Sequence, residues 1–282
     1  MRTMTPAFPP LLAGPGGARP AAPAASPAGD AAALGAFVTA DLVAHYDASH
    51  PDGFDVASNT VRNLVGDPAY DMTLVGNAGI SGKPGDLARG FCLAENGVLA
   101  IKAAANPPLL ASLQNTGAEW TIEFWGVPPA HLGYPEVPFT QLWSTYNSPV
   151  APVTGTIGMT LHNYYINQNA SGGVGNPVVW VVSWGFTHRS MRMISINWKQ
   201  GAPSWCWQND ARLVSTAGVT EFTPSFTGTT PASHRFHFGR FGVHSAVGGL
   251  GMVVSIVRIY AKQKTDAEMT ANWNGQRARF GL

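Results

Sequence analysis

The sequence predicts an all-β, two-sheet sandwich closed by one short C-terminal helix. Three observations carry that expectation. Charged residues fill only 12% of the 282 positions while Gly and Pro number 32 and 22, a balance that favours turns between strands over salt-bridged helices. From Ala36 onward, short apolar or alternating runs recur between Gly, Pro and Asn clusters, the pattern of a many-stranded sandwich. Neither a fixed-period repeat nor a βαβ alternation is present, which argues against solenoids and doubly wound sheets. A chain of this length is accommodated by one large all-β core.

Residues 1–35 differ from everything after them. "GARPAAPAASPAGDAAALG" (17–35) is low-complexity and has almost nothing to bury, so an extended arm is expected. Its few apolar side chains, Phe8, Leu11 and Leu12, are the candidate assembly contacts. Pro9, Pro10 and Gly14 interrupt the apolar stretch that a signal peptide requires. The sandwich itself is expected over 36–282.

Within the sandwich, "EWTIEFWG" (119–126) alternates so that Trp120, Ile122 and Phe124 share one face, and this trio is predicted to be core. Further strands are predicted in "FTQLWST" (139–145), "TIGMTLHNYY" (156–165), "VVWVVSWGF" (178–186), "RMISINWKQ" (192–200), "SWCWQ" (204–208), "HRFHFGR" (234–240) and "MVVSIVRIY" (252–260). Asn209-Asp210 tolerates the positive φ of a tight hairpin, so the chain is expected to fold back there. In the tail, Thr265 and Glu268 form a capping box, and Met269 and Trp273 share a helix face. Gly275 is expected to weaken or end that helix. Too short to stand alone, it should plug an open end of the sandwich with Met269 and Trp273.

Composition also excludes functions. A formal net charge of +1 provides no basic surface for nucleic acid. The longest apolar runs, near 178–182 and 252–257, are strand-sized, well short of the ~20 residues of a membrane helix. Cys92 and Cys206 are too few for a zinc site or a disulfide scaffold. They are expected as small buried thiols, a single disulfide being the alternative.

Candidate chemistry is sparse. Glu119 and Glu123 lie on one strand face, but their ~13 Å separation is far beyond the geometry of a retaining glycosidase. Surface acids, solvated or hydrogen-bonded, are the expectation. His234 and His237 differ by three and fall on opposite strand faces, so they do not jointly hold a metal. The loop bearing Asp47, Asp52 and Asp55 has the oxygen ligands of a Ca2+ site without the regular spacing, and a polar turn is expected. No cofactor is implied, and no nucleophile elbow or phosphate loop is present.

The aromatic residues remain. Trp205 and Trp207 share one strand face with the Cys206 thiol pointing away. Tyr164 sits beside Asn163, Asn167 and Gln168. Flat rings beside amides are what sugar rings use, through CH stacking and hydroxyl bonding. Trp205, Trp207, Tyr164 and Asn163 are therefore the candidate glycan contacts, whereas Trp180 and Trp184 are expected in the core.

The ending "VRIYAKQKTDAEMTANWNGQRARF" (257–280) resembles the close of concanavalin A-like jelly rolls of the laminin-G type, where a last core strand runs into a small capping helix. "LVAHYDAS" (42–49), "NLVGDPAYDMTLVG" (63–76), "ENGVLAIKAA" (95–104), "AEWTIEFWGVPP" (118–129), "MISINWKQGAPSWCWQNDARLV" (193–214) and "HRFHFGRFG" (234–242) follow in the order of that fold. Modules of this kind with Ala/Pro/Gly-rich leaders look most like those of bacteriophage structural proteins. The resemblance implies a sugar-binding ancestry and a display role. The expectation is a non-enzymatic virion protein, made in the host bacterial cytoplasm. It would be a capsid decoration, tail or fibre component, tethered to other virion proteins by its arm and homo-oligomeric in the assembly. A host-glycan adhesin is the alternative, and a polysaccharide hydrolase a remote one.

Overall fold

The computed structural model describes residues 35–83, 85–94, 97–128, 141–145, 157–160, 165–168, 178–181, 190–214, 218–224, 235–239 and 252–282. Two antiparallel sheets pack face to face. The first runs β15 (Ala211–Arg212), β14 (Trp205–Gln208), β13 (Arg192–Lys199), β8 (Glu119–Val127), β17 (Met252–Tyr260), β6 (Gly90–Leu93), β5 (Ala78–Ser81), and β1 (Leu42–Asp47) also pairs with β17. In the second the order is β12 (Val178–Val181), β11 (Tyr165–Gln168), β10 (Ile157–Thr160), β9 (Gln141–Ser144), β16 (His237–Gly239), β7 (Val98–Ile101), β4 (Met72–Val75), β3 (Thr60–Val61), β2 (Phe54–Asp55). This is the jelly-roll sandwich that the strand pattern and the C-terminal motif predict.

β17 is central, and eight of its nine residues are buried, Ser255 and Arg258 included. It takes β8 along one edge, and on the other β6 pairs with its first half and β1 with its second. Between Val254 and Ile256 the register with β8 shifts. The extra residue turns Ile256, Arg258 and Tyr260 away from the face that Val254, Val257 and Ile259 present to the core. Opposite the bulge stands Gly126, where an added Cβ would lie 1.9 Å from the Val253 carbonyl oxygen; only glycine permits that approach.

The main core lies between the sheets. Trp120, Ile122 and Phe124 are at most 1% exposed, as the alternation of their strand predicts. Trp120 stacks on Trp198 at 5.2 Å and meets Trp143 of the facing sheet edge-on at 5.8 Å. The hairpin at Asn209-Asp210 forms as expected, with Asn209 at φ 55° and Gln208 opposite Ala211. Both cysteines are free thiols, Cys206 buried and Cys92 half-buried.

The C-terminal helix spans Asp266–Gln276 behind a complete Thr265/Glu268 capping box. It does not end at Gly275. A further 3-10 turn, Arg277–Phe280, follows, and the chain turns off at Gly281 with φ 70°. Nor does the helix plug an open end. Met269 and Trp273 bury against Trp125, Met193, Trp207 and Ile256, so the helix covers the outer face of the first sheet. The apolar side chains of that face demand such a cover. No helix among the described residues is long and apolar enough to cross a membrane.

Candidate functional site

Among the described residues, the most elaborate polar arrangement lies beneath the C-terminal helix, and its members alternate with the core residues of β8 and β17. Glu123 and Arg258 are direct cross-strand partners and both are fully buried. One carboxylate oxygen, Oε1, accepts from Arg258 Nη1 and from Trp125 Nε1, each at 2.6 Å. The other, Oε2, accepts from Asn272 Nδ2 of the helix at 2.6 Å. Glu123 is therefore not the surface acid expected from its strand position. Its charge is matched within the fold, and a carboxylate so committed has no capacity left for acid, base or nucleophilic work. Glu119 is half-buried and pairs with Lys199 at 3.4 Å.

Residues 35–41 form a strap across the same helix. Asn272 Oδ1 accepts from the Val38 amide at 2.7 Å, Tyr260 Oη donates to the Val38 carbonyl at 3.2 Å, and Gln276 Nε2 donates to the Ala36 carbonyl at 3.2 Å. The Phe37 ring lies 4.0 Å from Arg258 Cζ and closes the buried pair from above. Lys264 Nζ donates to the Ala40 carbonyl at 2.6 Å and lies 3.3 Å from both Asp41 and Glu268. Burial, reinforced by the Glu123 charge, pushes the Tyr260 hydroxyl far above its ordinary range, so it stays a neutral hydrogen-bonding group.

Of the four candidate glycan residues, Trp205 and Trp207 are among those the structure describes. Trp205 is 8% exposed and Trp207 3%. The Arg212 guanidinium covers Trp205 at 4.0 Å, and Arg212 is held in turn by Asp266 at 2.8 Å. Trp207 packs beneath the helix and donates its Nε1 to the Asn209 carbonyl at 2.8 Å. Neither indole is an open stacking platform. Coverage comes from Arg212 and from a helix nearly sixty residues further along, neither visible in the local pattern. Tyr164 and Asn163 lie outside the described residues, as do Trp184, His234, Phe8, Leu11 and Leu12. Tyr165, which opens β11, belongs to the second sheet, whereas β14 belongs to the first. Trp180 pairs with Ile166, which pairs with Met159, opposite Trp143.

The acidic loop is likewise committed. Asp47 is 1% exposed and receives both Arg279 Nη1 and Nη2 at 2.6 Å. Burial alone would raise its pKa, but the Arg279 fork overrides that and holds it below the ordinary carboxylate value. Asp55 pairs with Arg62 at 3.0 Å. Among the described residues no group of three or more His, Cys, Asp or Glu is placed to share a metal ion. His237 is buried with Nδ1 3.0 Å from the Arg235 carbonyl. The signal for the Glu123 cluster was present in the sequence as an acid at the middle of β8 and a single arginine, Arg258, in the otherwise uncharged β17.

No protein-family model matches the chain. No curated protein matches it in sequence either. Solved structures do match in fold. A structure of botulinum neurotoxin type C, whose cell entry is described as dependent on interaction with two ganglioside molecules, superposes with TM-score 0.56 and 12% identity, over 83% of this chain and 51% of that one. The binding domain of botulinum neurotoxin DC, in complex with rat synaptotagmin II, gives 0.55 and 12% over 83% and 51%. Domain 4 of AbnA, a GH43 extracellular arabinanase from Geobacillus stearothermophilus, in complex with arabinotriose, gives 0.51 and 15% over 82% and 97%. The chain thus spans about half the length of the neurotoxin chains and nearly all of the arabinanase domain. At these identities the likeness is one of fold: a β-sandwich shared with binding domains.

Proposed function

We propose that this protein is a non-catalytic carbohydrate-binding module. The observation that carries the reading is the commitment of the acids: the only strand-borne carboxylate pair of β8 is spent on Arg258, Trp125 and Asn272 at Glu123 and on Lys199 at Glu119. A glycosidase of this fold needs two carboxyl groups about 5–9.5 Å apart and free to exchange protons. Support for sugar as the ligand comes from two different fold neighbours, one described with gangliosides and one with arabinotriose. Incubation with a panel of polysaccharides tests the proposal. Retention on at least one polysaccharide without release of reducing ends is expected, and reducing-end release would replace the proposal with the hydrolase.

The setting we propose is display on a virion, with residues 1–34 as the tether. It is supported by the Ala/Pro/Gly composition of that segment and by the strap at 35–41, which anchors the chain firmly where the segment ends. Deleting residues 1–34 is expected to leave a folded protein that no longer joins particles. Full incorporation of the truncated form would remove the tether.

A further inference from the structure

His45 of β1 stands directly opposite Arg258 of β17, which stands opposite Glu123 of β8. Direct cross-strand partners share a face, so the three side chains make one row on the outer face of the first sheet. Phe37 of the strap covers the His45 end of that row. Its ring meets the imidazole edge-on at 4.7 Å and lies 4.0 Å from Arg258 Cζ. His45 is 8% exposed, and its buried Nε2 has no hydrogen-bond partner among the described residues.

The charges around this ring are already matched. Arg258 pairs with Glu123 at 2.6 Å, and Asp47, two residues along β1, pairs with Arg279 of the C-terminal turn at 2.6 Å. His50, in the turn after β1, is a second imidazole acting on His45. From the turn after β3, the Asn63 amide oxygen accepts from the His45 N–H at 2.9 Å. The strap brings no carboxylate to this end, since Asp41, its only acid, lies 3.3 Å from Lys264. Two cations meet two carboxylates, and a proton on His45 would add a third positive charge without a counter-ion. Burial, followed by Arg258, accordingly lowers its pKa to about 3.

Water must therefore reach the ring before it ionises, and the strap is the cover that can move. Phe37 and Val38 are half-buried, and Ala36, Thr39 and Ala40 are exposed. Side chains hold it in place of a strand ladder, through Asn272 at the Val38 amide, Tyr260 at the Val38 carbonyl and Gln276 at the Ala36 carbonyl. The C-terminal turn is pinned more firmly. Its Arg279 fork on Asp47 is buried and overrides the effect of burial on that carboxyl, keeping it ionised in mild acid.

We propose that residues 35–41 are an acid-released latch: in mild acid the strap lifts as His45 takes up a proton, while the sandwich beneath stays folded. The open form binds one more proton than the closed form, so opening is favoured as pH falls. With the uncovered imidazole titrating near 6.5 and the covered one at about 3, the open fraction rises roughly 25-fold from pH 7 to pH 5. Acid thus frees the junction between the sandwich and residues 1–34, whether or not the sandwich binds sugar.

Amide hydrogen exchange of the full chain, followed by NMR from pH 7 to 5 and corrected for the intrinsic rate at each pH, tests this. Val38 is expected to exchange through a local opening, with protection at least about 100-fold below that of Val257 in β17. That protection is expected to fall roughly 25-fold over the range in the wild type and to stay level in His45→Gln. Should His45→Gln not fold, the ring titration of His45 decides: it is expected well below 6 in the wild type and nearer 6.5 in Phe37→Ala, which removes the cover. Val38 protection that is level with pH in the wild type, or equal to that of Val257, overturns the latch. A slope retained in His45→Gln overturns His45 as the proton acceptor. Equal ring titration in wild type and Phe37→Ala overturns the strap as its cover.

Discussion

Glu123 and Arg258 face each other across the two central strands with no water access, and this single pair decides how the outer face of the first sheet is built. Removing one partner leaves an uncompensated charge inside the protein. Glu123→Ala is therefore expected to cost about 3–5 kcal/mol, whereas the double variant Glu123→Leu with Arg258→Met is expected to fall within about 1–2 kcal/mol of the wild type. Denaturant titration of the three proteins checks both figures. A single variant as stable as the wild type would contradict the account of the cluster. His45 acts in the opposite sense. Burial, aided by Arg258, lowers its pKa to about 3, so the folded protein keeps it neutral while the unfolded chain protonates near pH 6.5. The unfolded state then binds more protons, and stability falls as pH drops from about 6.5 towards 3, by about 1.4 kcal/mol per pH unit. Asp47, held below its ordinary value by Arg279, adds a second loss below about pH 4, where the unfolded carboxyl begins to protonate. His45→Gln is expected to flatten the first part of that profile and leave the second.

The C-terminal helix and the strap act as one element. Gly275 sits within the helix, where alanine would ordinarily be favoured by about 1 kcal/mol. Its added methyl would lie 2.0 Å from the Ala36 carbonyl oxygen, a backbone atom that moves only with the whole strap. Gly275→Ala is thus expected to destabilise the fold and to expose residues 35–41 to proteolysis, against the direction of helix propensity. Deleting residues 1–34 leaves the strap in place, whereas deletion through Asp41 uncovers Arg258 and Lys264. The second truncation is expected to unfold at markedly lower denaturant concentration, and equal midpoints would show that the strap is an ornament. Loss of 265–282 would bare Trp125, Met193, Trp207 and Ile256 and is expected to cause aggregation.

At the scale of the whole molecule, local signals were legible and long-range ones were not. The capping box, the Asn209 hairpin and the alternation of β8 depend on neighbours in sequence, and each appears where the residues place it. Glu123 looked like a surface acid because two of its three partners, Arg258 and Asn272, come from 135 and 149 positions away. Trp205 and Trp207 looked available for a ligand because nothing local announces Arg212 or the helix above them. Gly275 looked like a terminator because its partner, Ala36, lies at the other end of the chain. The fold was therefore readable from pattern, whereas the site required knowing which polar groups the fold itself consumes. Glu119 and Glu123 are both engaged within the fold and do not form a free carboxylate pair; the proposed role is carbohydrate binding. Presentation of the full chain to a broad glycan array, with acidic and neutral members, tests this most directly. Saturable binding to a subset of the glycans is the expected result, and no binding to any glycan at millimolar equivalents would contradict it.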